Sequence, residues 1–308
     1  MSRGENALVR WLQERFARPS ERIEVGIGHD VAVVRLDGTR VAITTDMLLD
    51  GVHFDARNHS YEQIGRKAIA CSLSDCAAAA CEPRAATVSV ALNEGMSMAD
   101  VQRLYEGVAG LAAEFGCAIV GGDTTSWTGP LAIDVAMLAE PMAARGAILR
   151  SGARAGDAIF VSGPLGGSLL GRHLTFVPRL ALARRLATES GAHAMMDISD
   201  GLSMDLDRLC QASDCGAELH ADLLEAVISD DARTMARRDG RSPLDHALTD
   251  GEDFELLVVG DDGLGRMGLG LLPVGWIVRR PAGGSTMTIL FPDGPREPLA
   301  PRGFEHFR

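Results

Sequence analysis

Apolar residues recur along this chain with two periods, one helical and one of strands. From Glu5 to Ala17, Leu8, Leu12 and Phe16 fall four residues apart and predict a helix with one apolar stripe. Ser2-Arg3-Gly4-Glu5 ahead of it has the form of a capping box rather than of a signal sequence. Val31–Leu36 and Val41–Thr45 read as strands joined by a turn at Asp37-Gly38. A second helix starts at Ser60, with Gln63 completing a capping box, and runs through Ala80, with Pro83 as its terminator. Thr87–Leu92 reads as a strand. Ser97 caps a helix whose Val101, Leu104, Val108, Leu111 and Phe115 share one face, closed by Gly116. Ala118–Val120 reads as a short buried strand, and Leu131, Ile133, Val135 and Met137 alternate as a strand with one apolar face.

The pattern breaks around Ala139–Ala147, at Pro141 and Gly146, and this places a domain boundary between residues 1–140 and 141–308. The second part opens with a Gly-rich segment, Ser151 to Gly171. A helix after Pro178, a strand at Ala194–Met196, a helix from Ser199 to about Cys215 with Leu202, Leu206 and Leu209, and strands at Phe254–Val259 and Val274–Val278 come next. Gly163-Pro164-Leu165-Gly166-Gly167 has the look of a phosphate loop, but no helix-opening Lys follows and a tight turn is the expectation. Helices and strands are mixed in both parts, with adjacent strands not all parallel. That favours an α+β fold over a doubly wound sheet, and 308 residues suit two domains.

With 46% hydrophobic and 23% charged residues the composition is that of a folded globular chain, not a disordered one. A net charge of −12 argues against a nucleic-acid-binding surface, and no apolar run approaches the ~20 residues that span a bilayer. The six cysteines include no C-x-x-C pair and read as reduced, buried thiols of a cytoplasmic protein. All the basic residues but one are Arg. The exception, Lys67, lies in Gly65-Arg66-Lys67-Ala68, so a Walker loop is absent.

The acidic residues carry the chemistry. Asp30, Asp46, Asp75, Asp123, Asp197 and Asp200 sit at the ends of apolar runs among Gly, Ser and Thr. A carboxylate there is partly desolvated and needs compensation. Helix capping, pairing with Arg, or a hard cation such as Mg²⁺ each supply it. Singly, capping or a turn is the ordinary use of each Asp; six together, beside hydroxyls, favour a metal cluster shared with phosphates.

Several motifs then occur in order: Gly26-Ile27-Gly28-His29-Asp30; Thr44-Thr45-Asp46-Met47-Leu48 with Gly51-Val52-His53-Phe54; Lys67-Ala68-Ile69-Ala70 with Leu73-Ser74-Asp75; Gly121-Gly122-Asp123-Thr124-Thr125; Arg150-Ser151-Gly152-Ala153; Asp197-Ile198-Ser199-Asp200-Gly201-Leu202; Gly251-Glu252-Asp253-Phe254-Glu255-Leu256; and Gly303-Phe304-Glu305-His306-Phe307. From about residue 5 to 307 this ordered set resembles the thiamine-monophosphate kinase family, in the superfamily of aminoimidazole ribonucleotide synthetase and selenophosphate synthetase. The resemblance implies a two-domain synthetase-like fold, with an N-terminal mixed α/β domain carrying a dimerising sheet, a C-terminal α/β sandwich domain, and a cleft between them. It implies Mg²⁺ ligands at Asp30, Thr44, Thr45, Asp46, Asp75, Asp123, Asp197 and Asp200. Tyr105, Gly122, Arg150 and Ser199 would hold ATP, and His53, Glu252 and Phe304 the thiamine monophosphate, in a homodimer.

The implied reaction is phosphorylation of thiamine monophosphate by ATP to thiamine diphosphate and ADP. Its acceptor is a phosphate with a second pKa near 6, already an anionic nucleophile, so no general base is required. The difficulty is the meeting of two polyanions, which several Mg²⁺ ions resolve by neutralisation and in-line positioning. Phe304 would stack on the thiamine rings and Glu252 balance their charge. The alternatives are a ring-closing synthetase on the same scaffold, or a nucleotide-binding relative without chemistry. The second is suggested by His29, which stands where the family usually has an acidic residue. Read locally, His53 is a strand-end histidine bonded to backbone, Phe304 a packing residue, Arg150 a surface charge, and Glu252 a cap on the turn at Asp250-Gly251.

Overall fold

A computed structural model describes residues 5–16, 21–189, 191–281, 286–292 and 294–305. The expected capping residues Ser2, Arg3 and Gly4, the helix end at Ala17, and His306 and Phe307 lie outside these. The first half opens with helix α1 (Glu5–Phe16), strands β1 (Ile23–Val25), β2 (Ala32–Leu36) and β3 (Thr39–Leu49), and helix α2 (Tyr61–Ala78). Strand β4 (Cys81–Asn93), helix α3 (Met98–Glu114), and strands β5 (Ala118–Trp127) and β6 (Ala132–Pro141) complete it. The strands form one sheet in the order β1-β2-β3-β6-β4-β5. Only the β4·β5 pair is parallel.

Period two decides what this sheet buries. On β6, Ile133, Val135, Met137 and Ala139 face inward; on β3, Ala42, Thr44 and Leu48 do. Helix α2 lies on that inner face. Its predicted capping box forms, Ser60 accepting from Gln63 N while the Gln63 side chain accepts from Ser60 N. Thirteen of its eighteen residues are buried, because it contacts β3, β4 and β6 on one side and α3 on another. The two helices approach closely: a Cβ on Gly65 would stand 1.9 Å from Leu104 O, and one on Gly107 2.0 Å from Glu62 O.

Two expectations are corrected here. Pro83 does not end the helix; it lies within β4, at an irregularity of the β4·β6 register and before β5 begins to pair at Ala85, so its missing N–H costs no ladder bond there. The helix is turned off instead by Ala80, in the left-handed region (φ 52). The strand at Ala118–Val120 is neither short nor buried: β5 runs ten residues along the sheet edge, nine of them exposed.

The second half contains β7 (Ala158–Val161), α4 (Arg172–Thr175), α5 (Leu180–Thr188), β8 (Ala192–Asp197), α6 (Leu202–Ala212) and β9 (Cys215–His220). Helices α7 (Ala221–Glu225), α8 (Asp230–Asp239) and α9 (Pro243–Thr249) come next, then strands β10 (Leu256–Gly260), β11 (Leu272–Arg279), β12 (Met287–Leu290) and β13 (Arg296–Pro298). Their sheet has the order β13-β12-β9-β11-β7-β10-β8, antiparallel except for β12·β9. Every residue of β7 and β10 is buried, since both faces are covered. Ala158, Phe160, Leu256 and Val258 point into the core shared with α2 and α5, while Ile159, Val161, Leu257 and Val259 point into a second core with α6 and α9. The helix expected up to Cys215 stops at Ala212; Asp214 turns the chain (φ 49) and Cys215 opens β9, which pairs with β11 and β12. All six cysteines are buried and free. No described helix is long and apolar enough to cross a membrane.

Because α2 also packs on β8, β10, α4 and α5, it is the layer between the two sheets. A cleft opens where the C-terminal end of β8 faces β3 and α2.

Candidate active site

The cleft is a cavity of about 1080 Å³. Three carboxylates converge in it from distant parts of the chain: Asp30 from the loop before β2, Asp75 from the last turns of α2, and Asp197 from the last position of β8. One oxygen from each lies within 4.8 Å of the others. Burial pushes Asp197 up to about 8, with repulsion from Asp30 adding to it against the hydrogen bond from Ser74 Oγ (2.6 Å). Asp75 is raised well above its ordinary value by burial and then by Asp46, Asp197 and Asp30. Asp46 rises to about 6 through burial and the charges of Asp134 and Asp30, although Ser72 Oγ donates to it at 2.7 Å. Thr44 Oγ1 donates to Asp75. The group is a set of hard oxygen donors whose proximity is costly unless protons or a cation relieve it. Mg²⁺ fits that set.

Around this group the cation side is supplied by Arg. Arg150 forms a bidentate pair with Asp30 (2.8 and 3.0 Å), and Arg208 pairs with Asp200 and with Asp205. Burial, with Asp200 close by, lifts Asp205 to about 7. His29 lines the same cavity, and its Nδ1 is the buried side-chain atom without a hydrogen-bond partner among the described residues. Burial holds its imidazole below the ordinary value, hence neutral.

The opposite wall is built by the segment Asp250–Glu255. Each of its four carboxylates is held by side chains from elsewhere in the fold. Asp250 meets His246 Nδ1 (2.9 Å) and Arg241; Asp253 accepts from Gly166 N (2.8 Å) and Arg172 (2.8 Å); Glu255 pairs with Arg179. Glu252 meets Lys67 and His173, the latter at 3.1 Å. The clamps hold two non-glycine residues in the left-handed region, Glu252 (φ 64) and Phe254 (φ 51). Gly166 and Gly167 amides, the donors a phosphate loop would offer, are taken by Asp253 and Asp250, so that segment is the expected turn.

Of the residues singled out in the sequence, Asp30, Thr44, Thr45, Asp46, His53, Asp75, Arg150, Asp197, Ser199, Asp200, Glu252 and Phe304 all line the cavity. His53 Nδ1 accepts from Leu49 N at 3.0 Å, the local bond expected of a strand-end histidine. Phe304 is 42% exposed at the cleft, its N–H bonded to Asp200 O (3.0 Å). Gly303 permits this approach, since a Cβ there would lie 2.1 Å from the same oxygen. Thr45 faces away from Thr44 by strand alternation, and its hydroxyl donates to Asp134 (3.0 Å) rather than into the carboxylate group. Tyr105 on α3 and Gly122 and Asp123 on β5 lie outside the cavity lining. Asp75 lies inside α2, as the predicted helix has it, while Asp46 and Asp123 lie inside β3 and β5, which run on past the predicted strand ends. Lys67 carried no assigned role in the sequence; its singularity among the basic residues was the signal. A second trio, Asp157, His193 and Asp261, is accounted for by hydrogen bonds, with His193 Nδ1 (3.0 Å) and Arg154 N (2.7 Å) both on Asp157 Oδ2.

Residues 28–140 match the AIR synthase related protein N-terminal domain family, and 142–263 its C-terminal domain family. Over 264 residues the chain is 42% identical to thiamine-monophosphate kinase of Rhodopirellula baltica, covering 82% of this chain and 81% of that one. Among solved structures, AaThiL complexed with AMPPCP and TMP superposes with a TM-score of 0.84 at 29% identity, over 99% of this chain and 97% of that one. Thiamine-monophosphate kinase from Stenotrophomonas maltophilia K279a gives 0.70 at 31% identity, over 92% and 95%.

Proposed function

The chain belongs to the thiamine-monophosphate kinase family, and on that premise we propose how its own residues carry out the ATP-dependent phosphorylation of thiamine monophosphate to thiamine diphosphate. The observation that carries the reading is the convergence of Asp30, Asp75 and Asp197, from both halves of the chain, in the cavity that His53, Glu252 and Phe304 also line. Asp30, Asp75 and Asp197, with Asp46, Asp200 and the Thr44 hydroxyl, would hold Mg²⁺. Bound Mg²⁺ would supply charge neutralisation and in-line orientation for the two phosphates. Arg150 and Ser199 are placed beside the carboxylates to take nucleotide phosphate oxygens. Phe304 offers a ring face to the thiamine, and Glu252 a carboxylate to its positive charge. No side chain in the cavity is needed as a base, because the acceptor phosphate is anionic at neutral pH.

We propose further that two copies pair through the N-terminal sheet. Its outer face exposes Ile43, Met47 (61%) and Leu138, and its edge strand β5 exposes Val120 (64%) and Trp127. An unpaired ten-residue edge beside an apolar face favours self-association. Such pairing gives Gly122 and Asp123 a place at the partner's cleft, as nucleotide and Mg²⁺ contacts, with Tyr105 nearby.

A coupled ADP-release assay with ATP, Mg²⁺ and thiamine monophosphate tests the activity. One ADP per thiamine diphosphate is expected, with none released on a formylglycinamidine substrate. Turnover on the amidine alone would replace the kinase reading by a ring-closing synthetase.

A further inference from the structure

Lys67 is the one lysine in a chain whose other basic residues are Arg, and it is fully buried on α2. A buried ammonium is costly unless its donors and charge are met. Its ammonium donates to His53 O and to Glu252 Oε2, and His173 Nδ1 stands 3.0 Å away. A guanidinium, planar and five-pronged, does not match partners gathered around a point. His173 Nδ1 also stands 3.1 Å from Glu252 Oε2, closing a triangle. The other anchors of Asp250–Glu255 come from the second half of the chain; Lys67 comes from the first. Burial works to raise the Glu252 carboxyl, but His173 and Lys67 outweigh it and keep the group below its ordinary value, so it is ionised. Its Oε1 makes no hydrogen bond among the described residues, and the residue lines the cavity.

We propose that Lys67, aided by His173, is a positioning residue for the cationic acceptor. It ties the main chain of His53 to the carboxylate of Glu252 and so fixes the acceptor end of the cleft from both halves. The proposal rests on the reading of Glu252 as an acceptor contact. It places Lys67 in acceptor recognition and not in nucleotide binding, although α2 also carries Asp75.

The test is steady-state kinetics on Lys67→Met, Glu252→Gln, the double variant and His173→Gln, with melting temperatures for each. Lys67→Met should raise KM for thiamine monophosphate about tenfold or more, with KM for ATP changed less than about twofold. In the Glu252→Gln background the same substitution should add little, because its effect runs through that carboxylate. His173→Gln, a milder change, should raise the acceptor KM several-fold and serves if Lys67→Met does not fold. Equal rises in both KM values, or full additivity in the double variant, would show a merely structural lysine and overturn the proposal. An unchanged acceptor KM in Glu252→Gln would instead overturn the acceptor reading itself.

Discussion

At the last position of β8, Asp197 gathers the energetic problem of the whole cleft into one side chain. Its carboxyl is pushed up to about 8 by burial and by Asp30, against an ordinary 3.8. In the folded, metal-free protein it therefore keeps a proton between about pH 4 and 8 that the unfolded chain has released. Its contribution to stability is full below pH 4 and is lost as pH rises through 8. A divalent cation needs the ionised form, so the rise in melting temperature on adding Mg²⁺ should grow from pH 6 to pH 8.5. Asp197→Asn should flatten the pH dependence, remove the Mg²⁺ response and abolish turnover while the fold persists. A Mg²⁺ response as large as wild type in this variant would exclude Asp197 as a ligand. Within one strand, Thr44 and Thr45 teach the same lesson on a smaller scale. Their types are interchangeable as metal-ligand candidates, and only the direction of each side chain separates them.

Helix α2 is the element on which most of the site depends. It bears Lys67, Ser72, Ser74 and Asp75, each pointing to a different partner: Glu252, Asp46, Asp197 and Thr44. Its start was legible, because Ser60 and Gln63 form a purely local bond pattern. Its end was legible to within two residues but its cause was not, because the residue that stops it is an alanine whose left-handed backbone leads directly into the pairing of β4 with β6. The small residues of the helix are explained by packing from both sides rather than by propensity. Gly107→Ala puts a methyl into the backbone of α2 at Glu62; a loss of about 1–3 kcal/mol in unfolding free energy is expected by denaturant titration. Because α2 carries Asp75, the Mg²⁺ requirement for turnover should rise in the same variant.

For the molecule as a whole, the proposed pairing of two copies along the exposed edge strand β5 would divide the work of each cleft between them. If Asp123 serves the partner's cleft, Asp123→Asn and Asp75→Asn fail separately but complement each other. Refolding the two inactive variants together should restore about a quarter of wild-type activity, since half of random dimers carry one intact cleft. No recovery on mixing, with dimers confirmed by sedimentation, would place Asp123 in its own chain's site.

Sequence alone was enough for the local grammar of this protein: the capping box at Ser60 and the cap at Ser97, the alternation of Ile133, Val135 and Met137, and the ordered motifs that carry family and reaction. These are set by neighbours within a few residues, where hydrogen bonding and period leave a visible trace. The edges and partners were decided in three dimensions. Strand β9 was hidden because Cys215–His220 acquires its state from β11 and β12, and the reach of β5 because it runs beside β4 in parallel. Which carboxylates meet, and that the lone lysine reaches Glu252 185 residues away, both depend on one helix lying between two sheets. Contacts of that separation arise from packing, and no local pattern encodes them.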